Sequence, residues 1–122
     1  MGAVTKLRRH ERFILNFPAR TRDFCFVDDV VSHLADLLET PQCGATFREM
    51  GTGTGLSLEG ASRLICERLG APSELVAINP RTASDPNPSQ VADASSPAFL
   101  GCTTSFQDGI DQLASRLIAR GR

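Results

Sequence analysis

Residues 22–31 read Arg22-Asp23-Phe24-Cys25-Phe26-Val27-Asp28-Asp29-Val30-Val31, and the rest of the chain is parsed outward from them. Positions 23–27 are rich in aromatic and β-favouring types, which predicts a short strand. Asp28 then stands where a helix is capped, with Asp29 in the first turn facing the positive end of the helix dipole. Val30, Val31, Leu34, Ala35, Leu37 and Leu38 follow at helical spacing. Their arc is wide, so a helix over 28–39 is expected to be buried on more than one side, and Pro41 ends it.

Upstream, Phe13–Asn16 reads as another short strand, separated from 23–27 by Pro18 and the polar stretch 19–21. Downstream, Ala45–Met50 suits a strand, and Gly51-Thr-Gly-Thr-Gly55 is a turn. Ser57 is placed to cap the next helix, whose apolar stripe is Leu58, Ala61, Leu64, Ile65 and Leu69. Gly70 closes that helix in the position favoured for a left-handed cap. Glu74–Ile78 reads as a strand. Residues 79–98 hold Pro80, Pro86, Pro88 and Pro97 among Ser, Asp and Asn, a long loop of the kind that is usually functional or disordered. Ser105 and Asp108 form a capping-box pattern. Phe106, Ile110, Leu113, Ala114, Leu117 and Ile118 then mark an amphipathic helix to about Ala119.

The chain has 122 residues, about one domain's worth. No long apolar run is present, so a membrane span is not expected. Met1 to Arg12 is basic but lacks the apolar stretch of a signal peptide, and a soluble, cytoplasmic protein is the default expectation. The net charge of −1 is unevenly placed, because residues 1–22 carry +5 and the remainder −6. A basic arm suits nucleic acid or phosphate on a small ligand alike. No aromatic residues interleave usefully with its arginines, so nucleic acid is the weaker reading. Phe13 and Phe17 read instead as strand residues.

Cys25, Cys43, Cys66 and Cys102 are widely spaced, form no CxxC pair, and lie at no ligand spacing from His10 or His33. Reduced thiols are expected, with Cys25 and Cys66 as small core residues. Helix capping accounts for Asp28 and Asp29 more simply than metal binding or acid–base work does. His33 reads as a packed or surface histidine. The glycine turn fails the dinucleotide fingerprint, because Leu56 stands where its third glycine belongs. It is no phosphate loop of the lysine type either, since no lysine follows.

Taken together, these stretches resemble the extended short-chain dehydrogenases, the nicotinamide-dependent epimerases and dehydratases of nucleotide sugars. The 22–31 string is similar to that family's RDFxxVDDVV segment. Glu49 to Ser57 resembles its Asn-x-Gly-x-Gly-x-x-x-Ser segment, with Glu49 in place of asparagine. Asp93-Ala94-Ser95, Leu100-Gly101 and Ser105 to Gly109 resemble three further landmarks in the same order. The tryptophan that follows Leu-Gly in the family is Cys102 here. The likeness covers residues 6–119.

The resemblance implies a substrate site rather than a catalytic one. By analogy with the family's epimerases, Arg22 is the arginine that reaches the nucleotide's phosphates, a role its planar, permanently charged fork suits. Arg81 and Asp85 are the nearest matches to a second phosphate- and ribose-holding pair, at a spacing one residue longer than usual. Thr54, in the glycine turn, completes the implied substrate contacts. Hydride transfer in the family needs a Tyr-x-x-x-Lys pair, in which lysine lowers the tyrosine pKa. This chain has no tyrosine, and Lys6 is its only lysine. No catalytic residue and no metal ligand is therefore assigned, and no cofactor is expected on this chain alone; NAD or NADP belongs to the complete enzyme.

The implied fold class is α/β: a single partial domain over 1–122, with few short strands and three main helices, and without the N-terminal Rossmann half. Its partners would be a nucleotide-diphosphate sugar and a Rossmann-containing chain or a second copy, because without that half the apolar face of helix 28–39 is exposed. The alternative is a non-catalytic interaction or scaffold protein that docks a partner through that face.

Overall fold

The computed structural model of the chain describes residues 2–41, 43–84 and 89–121. Among the described residues four helices are formed: α1 (Ala3–Arg8), α2 (Val27–Glu39), α3 (Leu58–Leu69) and α4 (Phe106–Arg120). Short strands join them in pairs. β1 (Phe13–Leu15) and β5 (Val76–Ile78) run parallel, with Ile14 opposite Ala77. β2 (Thr21–Arg22) and β4 (Leu56–Ser57) are antiparallel, which sets Arg22 opposite Leu56. β3 (Glu49–Gly51) and β6 (Phe99–Gly101) are parallel, with Met50 opposite Leu100. The class is mixed α/β, as the sequence leads one to expect.

The core lies where α1, α3 and α4 meet the β1/β5 pair. Leu7, Ile65, Cys66, Ala71 and Ile110 are buried there, with Val4, Phe13, Val76 and Phe106 packed partly against them. Leu7 is wholly buried, so the basic arm does more than carry charge. It folds into a short helix whose one leucine plugs the core, while Lys6 and Arg8 sit in its last turn, near the negative end of the dipole. Sequence reading missed α1 because six residues give too little periodicity to register.

Capping chemistry sets two of the three long helices as expected. The Ser57 hydroxyl accepts from the Gly60 N–H, and Gly70 ends α3 in the left-handed region at φ +62°. The Ser105 hydroxyl accepts from the Asp108 N–H to start α4, which runs to Arg120. Cys66 is buried in the core as read, whereas Cys25 lies half-buried outside any strand.

Several local expectations are corrected. Residues 23–26 form no strand: extended pairing stops at Arg22, because Asp23 is drawn aside to bind another loop. Phe26, not Asp28, is the N-cap of α2, and no side chain caps that end. Asp28 instead pairs with Arg116 of α4, and Asp29 accepts from the N–H and hydroxyl of Thr104 at 2.8 and 2.9 Å. The expected strand at 45–50 shrinks to Glu49–Gly51, and 45–48 is exposed. The first part of 74–78 is a 3₁₀ turn, Ser73–Leu75. Phe17 is not a strand residue; it has φ +55° and lies under the Arg20 guanidinium, 3.8 Å from its ring centre.

In α2 no residue is buried, which is the exposure expected of this helix face where nothing covers it rather than burial on more than one side. Val27, Val31, Leu34 and Leu38 are 58, 56, 49 and 88 % exposed. The wide apolar arc read from the sequence is real, but little of it is covered. The helix is fastened by Asp28 to Arg116, by Asp29 to Thr104 and by the His33 ring, whose Nε2 lies 2.7 Å from the Gly101 carbonyl oxygen.

Candidate functional site: a hydroxyl-lined cavity at the strand ends

The site is built around Asp23. Its carboxylate accepts from the Thr52 N–H at 2.9 Å, the Thr52 hydroxyl at 2.5 Å, the Gly53 N–H at 2.9 Å and the Ala92 N–H at 3.3 Å. One side chain thus ties the stretch after β2 to the glycine turn after β3 and to the stretch before β6. Burial works to raise the Asp23 pKa, but the bonds from Thr52, Gly53 and Ala92 outweigh it and hold the carboxyl below its ordinary value.

The glycines of the turn serve that knot. A Cβ on Gly51 would lie 2.6 Å from the Asp23 carboxylate oxygen, and Gly53 has φ +75°. This is a backbone device for close approach. It agrees with the failed dinucleotide fingerprint, in that the turn's amides are spent on Asp23.

Beside the knot lies a cavity of about 430 Å³, within the range of small-molecule sites. Its walls are the loops that follow the carboxyl ends of the parallel strands β3 and β6, and the first turn of α4. In α/β proteins ligands commonly bind at such strand ends. Phe24, Leu56, Leu64 and Phe106 give the apolar side; Phe24 and Phe106 meet edge to face with ring centres 5.1 Å apart. The polar side is hydroxyl-rich: Thr52, Thr54, Thr103, Thr104 and Ser105, with Gln107.

Not all of these groups are available to a ligand. Thr52 is spent on Asp23, Thr104 on Asp29, and Ser105 on the α4 cap. The side chains of Thr54, Thr103 and Gln107 make no hydrogen bond among the described residues. Three uncommitted neutral donors and acceptors therefore line the cavity, and no charged side chain among the described residues does so. Such a lining can orient a polar ligand. Among the described residues no group of acids, cysteines and histidines is arranged to hold a metal ion.

Of the residues implied by the resemblance, Thr54 lines the cavity. Arg22 stands beside it, opposite Leu56, which is itself part of the wall. The Arg22 guanidinium donates to the Thr21 carbonyl at 2.8 Å. It is half-buried, and no carboxylate among the described residues pairs with it. Arg81 lies elsewhere, in the 3₁₀ turn Pro80–Thr82 after β5; its N–H is held by the Asn79 side chain and it is exposed. Asp85 lies outside the described residues.

Sequence reading passed over Thr103, Gln107 and the role of Asp23. Asp23 stands in the 22–31 string, but nothing local distinguishes it from Asp28 and Asp29. In comparisons with known proteins, no family model matches the chain and no curated protein matches it.

Proposed function

We propose that this chain is the substrate-binding part of an enzyme of the extended short-chain dehydrogenase type, acting on nucleotide-diphosphate sugars. On this reading it holds the nucleotide diphosphate and carries out no hydride chemistry alone. NAD or NADP and the catalytic tyrosine and lysine would come from another polypeptide region. The observation that carries the reading is convergence. Stretches that resemble family landmarks, and that are scattered from 22 to 109, pack against one another: Asp23 on Thr52 and Gly53, Phe24 on Phe106, and Phe26 against Gly109.

Arg22 would supply the positive charge. A half-buried guanidinium with no acidic partner among the described residues suits an anion that completes it, and a diphosphate offers the matching fork geometry. Thr54, Thr103 and Gln107 would then hold neutral parts of the ligand. Arg81, in the 3₁₀ turn Pro80–Thr82, does not line this cavity.

The test is an amide NMR titration with UDP. Shifts at Arg22, Thr54 and 103–107 are expected, and Arg22→Ala should weaken binding by roughly ten- to a hundredfold, the worth of a charge-assisted hydrogen bond. Saturating UDP that moves none of these amides would overturn the reading.

A second reading has its own observation. Val27, Val31, Leu34 and Leu38 are spaced four, three and four apart, the seam spacing of paired helices, and all are exposed. The helix carries Asp28, Asp29, Asp36 and Glu39 and no lysine or arginine. A docking role would therefore call for a partner helix with basic flanks. A scaffold of that kind would ignore UDP, so the same titration separates the two readings.

A further inference from the structure

Next to the hydroxyl-lined cavity lies a second, smaller one of about 170 Å³. Phe24, Thr104, Ser105 and Phe106 line both. The two are therefore ends of one groove, set between the segment entering α2 and the first turns of α4.

The chemistry changes along the groove. At the larger end, the side chains of Thr54, Thr103 and Gln107 are uncommitted among the described residues. At the smaller end the wall is carbon and sulfur, from Phe24, Cys25, Phe26, Phe106, Ile110 and Leu113. The hydroxyls in that wall, on Thr104 and Ser105, are taken up by Asp29 and by the α4 cap. A Cβ on Gly109 would stand 3.1 Å from the Phe26 ring, so the glycine lets that ring close on α4. Arg116 lies over the same ring, 5.3 Å from its centre, and pairs with Asp28. The cation beside this end is thus already matched by a carboxylate.

A polar group placed at the smaller end would lose water and find no partner, whereas carbon there is favoured. The reverse holds at the larger end. A purely apolar occupant would cover Thr54, Thr103 and Gln107 without satisfying them. The two ends call for the two halves of one molecule.

We propose that the groove binds a small amphipathic ligand, with a neutral polyhydroxyl head among Thr54, Thr103 and Gln107 and a short alkyl arm against Phe26, Ile110 and Leu113. The head is neutral because no charged side chain among the described residues lines either end. The arm is short because the smaller end offers about 170 Å³, below the roughly 300 Å³ of a whole ligand site. This assignment goes beyond the nucleotide reading and does not rest on it, since neither half of the ligand uses Arg22 or a diphosphate.

The experiment is an amide NMR titration of the full chain with hexyl β-D-glucoside, kept below micelle formation, and with methyl β-D-glucoside. Both should shift amides at 103–107, and the hexyl compound alone should also shift 109–113. Affinity should rise by up to about fourfold for each methylene that enters the cleft. Leu113→Asn, at a position 38 % exposed, should remove most of the hexyl advantage and leave methyl glucoside binding as it was. Should that variant fold poorly, the chain-length series on the parent chain decides the matter. Equal affinity for the two glycosides would overturn the proposal, as would silence from both at 103–113. Shifts confined to 27–38 would also overturn it, because the alkyl chain would then only adsorb to the exposed face of α2. The probes carry no phosphate, so a failure with UDP and a failure here are separate results.

Discussion

Asp23 and Thr52 are joined twice, through the threonine's backbone N–H at 2.9 Å and its hydroxyl at 2.5 Å. The pair matters because β2, β3 and β6 belong to two separate two-stranded ladders. Backbone pairing alone cannot align ladders that share no strand. A carboxylate that collects donors from two other stretches does so, and it does so at the cavity's edge.

Replacing Asp23 by Asn keeps the shape but turns one oxygen into a donor facing other donors. The N–H groups of Thr52, Gly53 and Ala92 then compete for one remaining acceptor. Asp23→Asn should cost about 2–4 kcal/mol of stability, measured from urea unfolding midpoints. A variant within experimental error of the parent would show that the knot is incidental to the fold.

Acid should undo the same contact. The Asp23 carboxyl is held below its ordinary 3.8, with burial opposing and the bonds from Thr52, Gly53 and Ala92 prevailing. A depressed folded-state pKa contributes stability that is fully present above the unfolded value and drains as pH falls through the folded one. Asp28, Asp93 and Asp111 are lowered as well, by Arg116, Ser95 and Arg68. The unfolding midpoint should therefore hold near neutrality and fall below about pH 4. Asp23→Asn should flatten part of that fall, and parallel curves for parent and variant would remove Asp23 from the account.

How far the chain could be read from its sequence follows from the range of each signal. Ser57, Gly70 and Ser105 were legible because a cap depends on neighbours within one turn. Asp23 was not: its partners, Thr52, Gly53 and Ala92, are 29 or more residues away. Nothing local marks one aspartate in a run of three as the one that binds a distant loop. The same holds for Asp28, whose counter-ion Arg116 sits in the last long helix. The apolar face of α2 was legible, but whether it is covered depends on tertiary contacts. For the site, the glycine turn and Thr54 were marked in advance, whereas Thr103 and Gln107 carry no pattern of their own.

Gly53 should resist substitution on two counts at once, backbone conformation and space. It holds φ +75°, and an added Cβ would stand 2.9 Å from the Ala94 Cβ. Gly53→Ala combines left-handed strain with a steric push on the stretch that Ala92 anchors, for a cost of about 1–3 kcal/mol. The thermal midpoint reads the cost, and amide shifts at 92–94 show whether the push is transmitted. An alanine that lowers the midpoint no more than an exposed helix substitution does would contradict this geometry.

The outer seam of α2 makes the opposite prediction. Leu34 and Leu38 are 49 and 88 % exposed, so glutamate at both positions removes little burial and should change stability by about 0.5 kcal/mol or less. Ile65, 8 % exposed in the core, supplies the contrast, since Ile65→Ala should cost about 2–5 kcal/mol. Solution behaviour should respond in the reverse order. An exposed apolar seam promotes association, so the parent chain should sediment faster as concentration rises, and the Leu34→Glu, Leu38→Glu variant should not. Ile65→Ala leaves the seam intact and should keep the concentration dependence at temperatures where it remains folded. If the double glutamate variant instead loses as much stability as Ile65→Ala, the seam is covered within the monomer and α2 lies differently from the arrangement described above.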